Sequence, residues 1–107
     1  IDLMATCLDA AGAEYPKTHS GETITPLEGK SLLAAMRNPK QVTPRTLYWE
    51  HEGNRAVREG DWKLVSQHKG DWELYNVRED RTELKDLAAK DPARVAKMKA
   101  QYEAWAK

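Results

Sequence analysis

Residues 48–65 read YWEHEGNRAVREGDWKLV and hold a His-Glu pair, a Gly-Asn step, two arginines and two tryptophans. Apolar and polar residues alternate from Arg45 to His51, with Leu47 and Trp49 on one side of an extended chain and Tyr48 on the other. That period of two is the signature of a half-buried strand. The segments NRAVR and WKLVS flank Glu59-Gly60-Asp61, a turn signal of hairpin length. HKGD makes a second turn, and WELYNV reads as a further strand with Trp72 and Leu74 facing one way. The stretch therefore predicts a three- or four-stranded antiparallel meander. A sheet of this size is marginal unless one face is covered.

The cover is legible downstream. Asp91 is placed to cap a helix whose first residue is Pro92, where the missing N–H has no helical partner to lose. Val95, Met98, Tyr102 and Trp105 then recur at spacings of three, four and three, the stripe a helix lays on a sheet. The intervening REDRTELKDLAAK starts as a charged turn and is expected to end in a short helix carrying Leu84 and Leu87. Trp49, Trp62 and Trp72 are expected in the core between sheet and helix, with Leu64.

Upstream, Asp2 is a candidate cap for a first helix, with Leu3, Met4, Cys7, Leu8 and Ala11 as its apolar stripe and Gly12 as its stop. Cys7 reads as a small apolar member of that stripe. Residues 13–29 carry two prolines, two glycines and several Ser/Thr, and predict an extended loop with a solvated His19. Ser31 could cap a short helix over Leu32, Leu33 and Met36 that Pro39 ends, and NPKQVTP, 38–44, is a connector. The fold class is thus α+β: a small antiparallel sheet packed against a C-terminal helix, preceded by one or two helices and a long loop.

At 107 residues the chain has room for about one domain. Its 17 basic and 17 acidic side chains balance, which argues against a nucleic-acid partner, because such affinity rests on neutralising phosphates. Its apolar runs are too short to span a membrane. One cysteine excludes an internal disulfide and a multi-cysteine zinc site. The opening IDLMATC starts with an amphipathic pattern already under way, as in a chain cut from something longer.

His51-Glu52 matches the first half of a HExxH zinc helix, but position 55 is Arg and Gly53 follows at once, so zinc proteolysis is rejected. Asn54, Arg55 and Arg58 could hold an anion, or could pair with Glu50, Glu52 or Glu59 at a strand surface. No phosphate loop or nucleophile elbow is present. Pattern alone names no reaction.

The segments HEGNRAVREGDWKLV, 51–65, WELYNVREDRTELKDLAAKDP, 72–92, and YEAWAK, 102–107, resemble the C-terminal region of arylsulfatase-type (type I) sulfatases. The opening DLMATCLDAAGAEYP and LEGKSLLAAMRN fit the same pattern in the same order. The resemblance implies that residues 1–40 end a large α/β domain related to alkaline phosphatase, and that 41–107 form the C-terminal subdomain. It also implies hydrolysis of sulfate esters by a formylglycine made from Cys or Ser in C/S-x-P-x-R, beside a calcium ion held by Asp and Asn. Cys7 is followed by Leu8-Asp9-Ala10, so it is no such precursor. Nucleophile and metal ligands are expected in an upstream part, and this chain by itself is expected to be inactive. The implied partners are that large catalytic domain and a sulfate-ester substrate, with no nucleic acid and no membrane. The implied location is periplasmic or secreted, in a bacterium. The HEGN turn is expected at the mouth of the substrate cleft, with His51, Glu52, Asn54 and Arg55 shaping the leaving-group side. An isolated subdomain should expose an apolar patch, from Leu3, Met4 and Leu8, and self-associate. The alternatives are a stand-alone binding module with this fold, and a related phosphoesterase.

Overall fold

The structure, a computed structural model, describes residues 1–42 and 44–107. Thr43, inside the connector read from the sequence, lies outside the described residues. The chain forms two compact units, 1–43 and 44–107.

In the first unit, helix α1 spans Asp2–Ala11. Gly12 closes it in the left-handed region (φ 63°), with Gly12 N–H donating to Asp9 O and Ala13 N–H to Leu8 O. The cap position is Ile1, and Asp2 instead uses its carboxylate to accept from Lys30 N–H at 2.9 Å. The expected stripe lies at helical spacing, yet Leu3 is 78% exposed, Met4 and Cys7 are exposed, and only Ala5 is buried. Cys7 is therefore not the buried member of the stripe that the sequence suggests, while Leu3 and Met4 are exposed, as the apolar patch expected of them requires. Within 13–29, two-residue strands β1 (Thr18–His19) and β2 (Glu22–Thr23) pair antiparallel where the sequence reads as loop. Their Ser20-Gly21 turn holds both residues at positive φ. Helix α2 covers Leu33–Arg37, with Ser31 Oγ accepting from Leu33 N–H.

The second unit is the meander. Strands β3 (Thr46–His51), β4 (Asn54–Glu59), β5 (Trp62–Ser66) and β6 (Glu73–Asn76) pair in that order, all antiparallel. The register sets Tyr48, Val57, Leu64 and Leu74 abreast. Helix α3 (Pro92–Trp105) lies on that face, and Met98 and Tyr102 close a core with Val57, Leu64 and Leu74. Asp91 caps α3 by accepting from Arg94 N–H at 3.0 Å, with Pro92 at the first helical position. The Arg94 guanidinium is held by the Asp91 carboxylate at 2.8 Å and lies 4.1 Å above the Trp62 ring. Trp105 continues the stripe by stacking on Tyr48, 5.2 Å apart and 7° from parallel.

Two expectations change. Because Tyr48 occupies the core row, the period of two turns Trp49 to the opposite face, where it is 47% exposed and not part of the core. Residues 81–90 form turns and no helix. The reason is side-chain competition for backbone donors: Asp80 Oδ2 accepts from Leu84 and Lys85 N–H, and Asp86 Oδ1 accepts from Leu74 and Ala88 N–H. Leu84 is consequently 85% exposed, while Leu87 packs on the core.

These carboxylates make the fold acid-sensitive. The Lys97 ammonium lowers the Glu59 carboxyl from its ordinary 4.5. Arg94 lowers Asp91, and the Lys85 and Leu84 amides lower Asp80, from 3.8. A carboxylate with a depressed folded pKa contributes stability above its unfolded pKa and loses it as pH falls through the folded value. The urea midpoint should be level near neutrality and fall below about pH 4.5, with Glu59→Gln flattening part of that fall. A midpoint unchanged down to about pH 3 would contradict this.

Candidate functional site

The β3–β4 hairpin closes on Glu52-Gly53, both at positive φ (52° and 83°). This is the backbone a two-residue type I′ turn demands. Gly53 N–H donates to Glu50 Oε1 at 2.8 Å, and Asn54 Nδ2 donates to His51 O at 3.0 Å. Asn54 also accepts from His68 N–H through Oδ1 at 3.1 Å, so one amide side chain ties this turn to the β5–β6 turn. The His68 ring lies so close to Gly53 that a Cβ there would fall 2.0 Å from Nδ1.

Behind the turn, Arg55 donates from its guanidinium to Ser66 Oγ at 2.8 Å and sits 4.5 Å above the Trp72 ring. Trp72 in turn meets Tyr102 edge-on at 5.6 Å. Buried Ser66 Oγ is within 2.8 Å of Gly70 O and 3.0 Å of Gln67 O, to one of which it donates. Arg55 Nε is buried without a partner. The guanidinium thus braces the base of the hairpin.

The sheet face opposite α3 carries a groove. One part, about 400 Å³, is lined by Trp49, His51, Asn54, Arg55, Val65 and Tyr75 among others. A second part, about 520 Å³, adds Arg58, Lys63, Val77 and Arg81. Trp49, Ala56 and Glu83 line both. Of the four residues singled out from sequence, His51, Asn54 and Arg55 line the groove, and Glu52 stands exposed at the turn tip outside its lining. Arg58 donates from Nε to Gly60 O at 3.2 Å. Ser66, His68, Trp72, Tyr75 and Glu83 were not singled out as site residues. His68 had a signal, its Gly-flanked turn, but its contact with Gly53 crosses fifteen positions (68 − 53) and has no local pattern.

Tyr75 donates to Glu73 Oε2 at 2.8 Å, and that bond, with burial, pushes its hydroxyl up to about 12. Lys63 pairs with Glu83 at 2.5 Å. Among the described residues no three His, Cys, Asp or Glu side chains converge as metal ligands. No helix among them is long and apolar enough to cross a membrane.

Residues 1–105 match the family described as N-sulphoglucosamine sulphohydrolase, C-terminal. The chain belongs to this family. It is 31% identical over 100 residues to an uncharacterized sulfatase of Schizosaccharomyces pombe, covering 86% of this chain and 18% of that protein. It is 28% identical over 107 residues to arylsulfatase K of Xenopus laevis, covering 92% and 20%. The crystal structure of Ps i-CgsB shares the fold, with a TM-score of 0.70 at 24% identity over 97% of this chain and 23% of that one. The chain spans about a fifth of the length of these relatives. They include eukaryotic proteins, so the similarity does not assign a bacterial source. As a sulfatase C-terminal domain, the chain holds the α+β architecture that the sequence resemblance implied.

Proposed function

We propose that this chain is the C-terminal part of a sulfate-ester hydrolase, inactive alone, whose β3–β4 hairpin forms one wall of the substrate cleft. The observation that carries the reading is the family match over 1–105, in a chain whose His51 and Asn54, on either side of the hairpin turn, line a groove. In this reading residues 1–40 end the large catalytic domain and 41–107 are the subdomain beside it. The nucleophile, a formylglycine, and the calcium site belong to the preceding part of the polypeptide. The protein acts outside the cytoplasm, in the periplasm or after secretion.

His51 and Asn54 meet the organic part of the ester. Asn54 is already fixed by His51 O and His68 N–H, which presents its side chain at little further entropic cost. Arg55 holds the hairpin base through Ser66 and Trp72, and Glu52 sets the tip. Removing a hydrogen bond to bound substrate costs about 1 kcal/mol, or on the order of fivefold in kcat/KM. His51→Ala and Asn54→Ala in the full-length enzyme should therefore each lower kcat/KM by roughly that factor, unequally between an aryl sulfate and a sulfated amino sugar. Unchanged kcat/KM on every ester would remove the hairpin from the cleft.

A further inference from the structure

The hairpin tip that carries His51 and Asn54 closes in a two-residue turn, and a turn that short has no core of its own. His51, Glu52 and Asn54 are exposed, yet Gly53 between them is partly covered. Against it lies the imidazole of His68, from the turn between β5 and β6. A Cβ on Gly53 would fall 2.0 Å from His68 Nδ1, 2.9 Å from Cε1 and 3.0 Å from Cγ. These three atoms form the Nδ1 edge of the ring, so that edge stands where a side chain would stand. The His68 N–H also donates to Asn54 Oδ1 at 3.1 Å. His68 thus holds Gly53 by its ring and Asn54 by its backbone.

The turn that presents His68 is itself braced. Gly70 N–H donates to Gln67 O at 2.9 Å, and Ser66 Oγ, 2.8 Å from Gly70 O, is held by the Arg55 guanidinium. The His68 ring is exposed, lies outside the core and, among the described residues, makes no hydrogen bond or ion pair. Its removal should therefore leave global stability almost unchanged.

We infer that His68 is a positioning residue, which fixes His51 and Asn54 in the cleft wall without touching the ester. This rests on the reading that the hairpin meets the substrate, and names what holds the hairpin in place. Two of Asn54's hydrogen-bonding places are used inside the fold: one lone pair of Oδ1 by His68 N–H, and one N–H of Nδ2 by His51 O. One acceptor place and one donor place remain, and the two internal bonds set their directions. A substrate that meets this fixed pair needs no ordering of the wall, whereas a swinging tip has to be ordered on binding. Ground state and transition state need that ordering alike, so its loss is read in KM and not in kcat.

The test uses the full-length enzyme, with para-nitrophenyl sulfate and a sulfated glucosamine as probes. His68→Ala should raise KM on the order of fivefold, the factor that ordering a side chain or two costs, with kcat and the urea midpoint unchanged. It should also speed amide exchange at Gly53, whose N–H donates to Glu50. His68→Asn keeps a planar group with an atom in the place of Nδ1, and should bring KM and exchange back to their original values. An unchanged KM in His68→Ala would overturn the inference. Equal losses of kcat in the Ala and Asn variants would also overturn it, because the imidazole would then act on the reacting atoms. A lowered urea midpoint tracking the loss would reduce His68 to a structural residue. His51→Ala and Asn54→Ala separate this inference from the reading beneath it. If they lower kcat/KM while His68→Ala leaves KM alone, the positioning role falls and the cleft wall stands. If they too change nothing, the cleft wall itself falls.

Discussion

Leu64→Ala should destabilise the 44–107 unit by about 3 kcal/mol, within the 2–5 kcal/mol seen when a buried leucine is cut to alanine. Leu64 has no solvent exposure and occupies a central strand. Val57 and Leu74 flank it in register on β4 and β6, and Met98 and Tyr102 close the core from α3. None of these neighbours is free to collapse into the space. The two on strands are tied by ladders, and the aromatic side of the core is held by the Tyr48–Trp105 stack and the Trp72–Tyr102 contact. The cost should therefore include a cavity contribution beyond the lost transfer free energy. Urea unfolding followed through tryptophan emission would show a lower midpoint at unchanged slope. Leu84→Ala is the control, because its side chain is 85% exposed and should change stability by less than about 0.5 kcal/mol. A loss below about 1 kcal/mol at Leu64 would mean that the sheet and α3 are not packed as described.

Gly29→Ala should have the second largest effect, in the other unit. A Cβ at position 29 would lie 2.0 Å from Ile1 O, 2.8 Å from Ile1 C and 3.2 Å from the Asp2 Cα. These are backbone atoms, so no side-chain rotation relieves the overlap, and one segment must move off the other. The contacts at stake are those that seat residues 30–32 on α1: Lys30 N–H to Asp2 Oδ1 at 2.9 Å, Leu32 N–H to Thr6 Oγ1 at 3.0 Å, and Ser31 Oγ to the Asp9 carboxylate. Overpacking of this kind costs about 1–3 kcal/mol. Amide exchange should report it locally, as lost protection at Lys30 and Leu32. Gly70→Ala offers the comparison, since its nearest atom would be Gln67 O at 3.3 Å. Retained protection at both amides would show that residues 29–32 do not bear on α1.

Local chemistry made much of this legible. Gly60-Asp61 joins strands of alternating pattern, and Asp91-Pro92 starts a helix with a regular stripe, so the meander and its cover could be read from neighbours in the chain. What alternation could not supply is its sign. Tyr48 and Trp49 are both aromatic, and only pairing with Val57 shows that Tyr48 faces the helix. The Leu84–Leu87 segment misled for a related reason: its helical spacing is real, but Asp80 and Asp86 capture the amides a helix would use. In the site, His51 and Asn54 stood out by type. Ser66, His68 and Trp72 did not, because their importance lies in contacts to Arg55, Asn54 and Gly53 made eleven to seventeen positions away, at separations no local pattern records.

Every pairing in the four-stranded sheet joins strands adjacent in sequence. The loops to be closed are therefore short, and the entropy lost in closing them is small. Hairpins of this length form in microseconds, so β3 to β6 can assemble as each emerges from the ribosome. Their apolar row cannot be shielded until Met98 and Tyr102 follow. The growing chain thus passes through an interval in which a formed sheet waits for its helix with Val57, Leu64 and Leu74 bare, and it is in that interval that aggregation and chaperone capture would compete with folding.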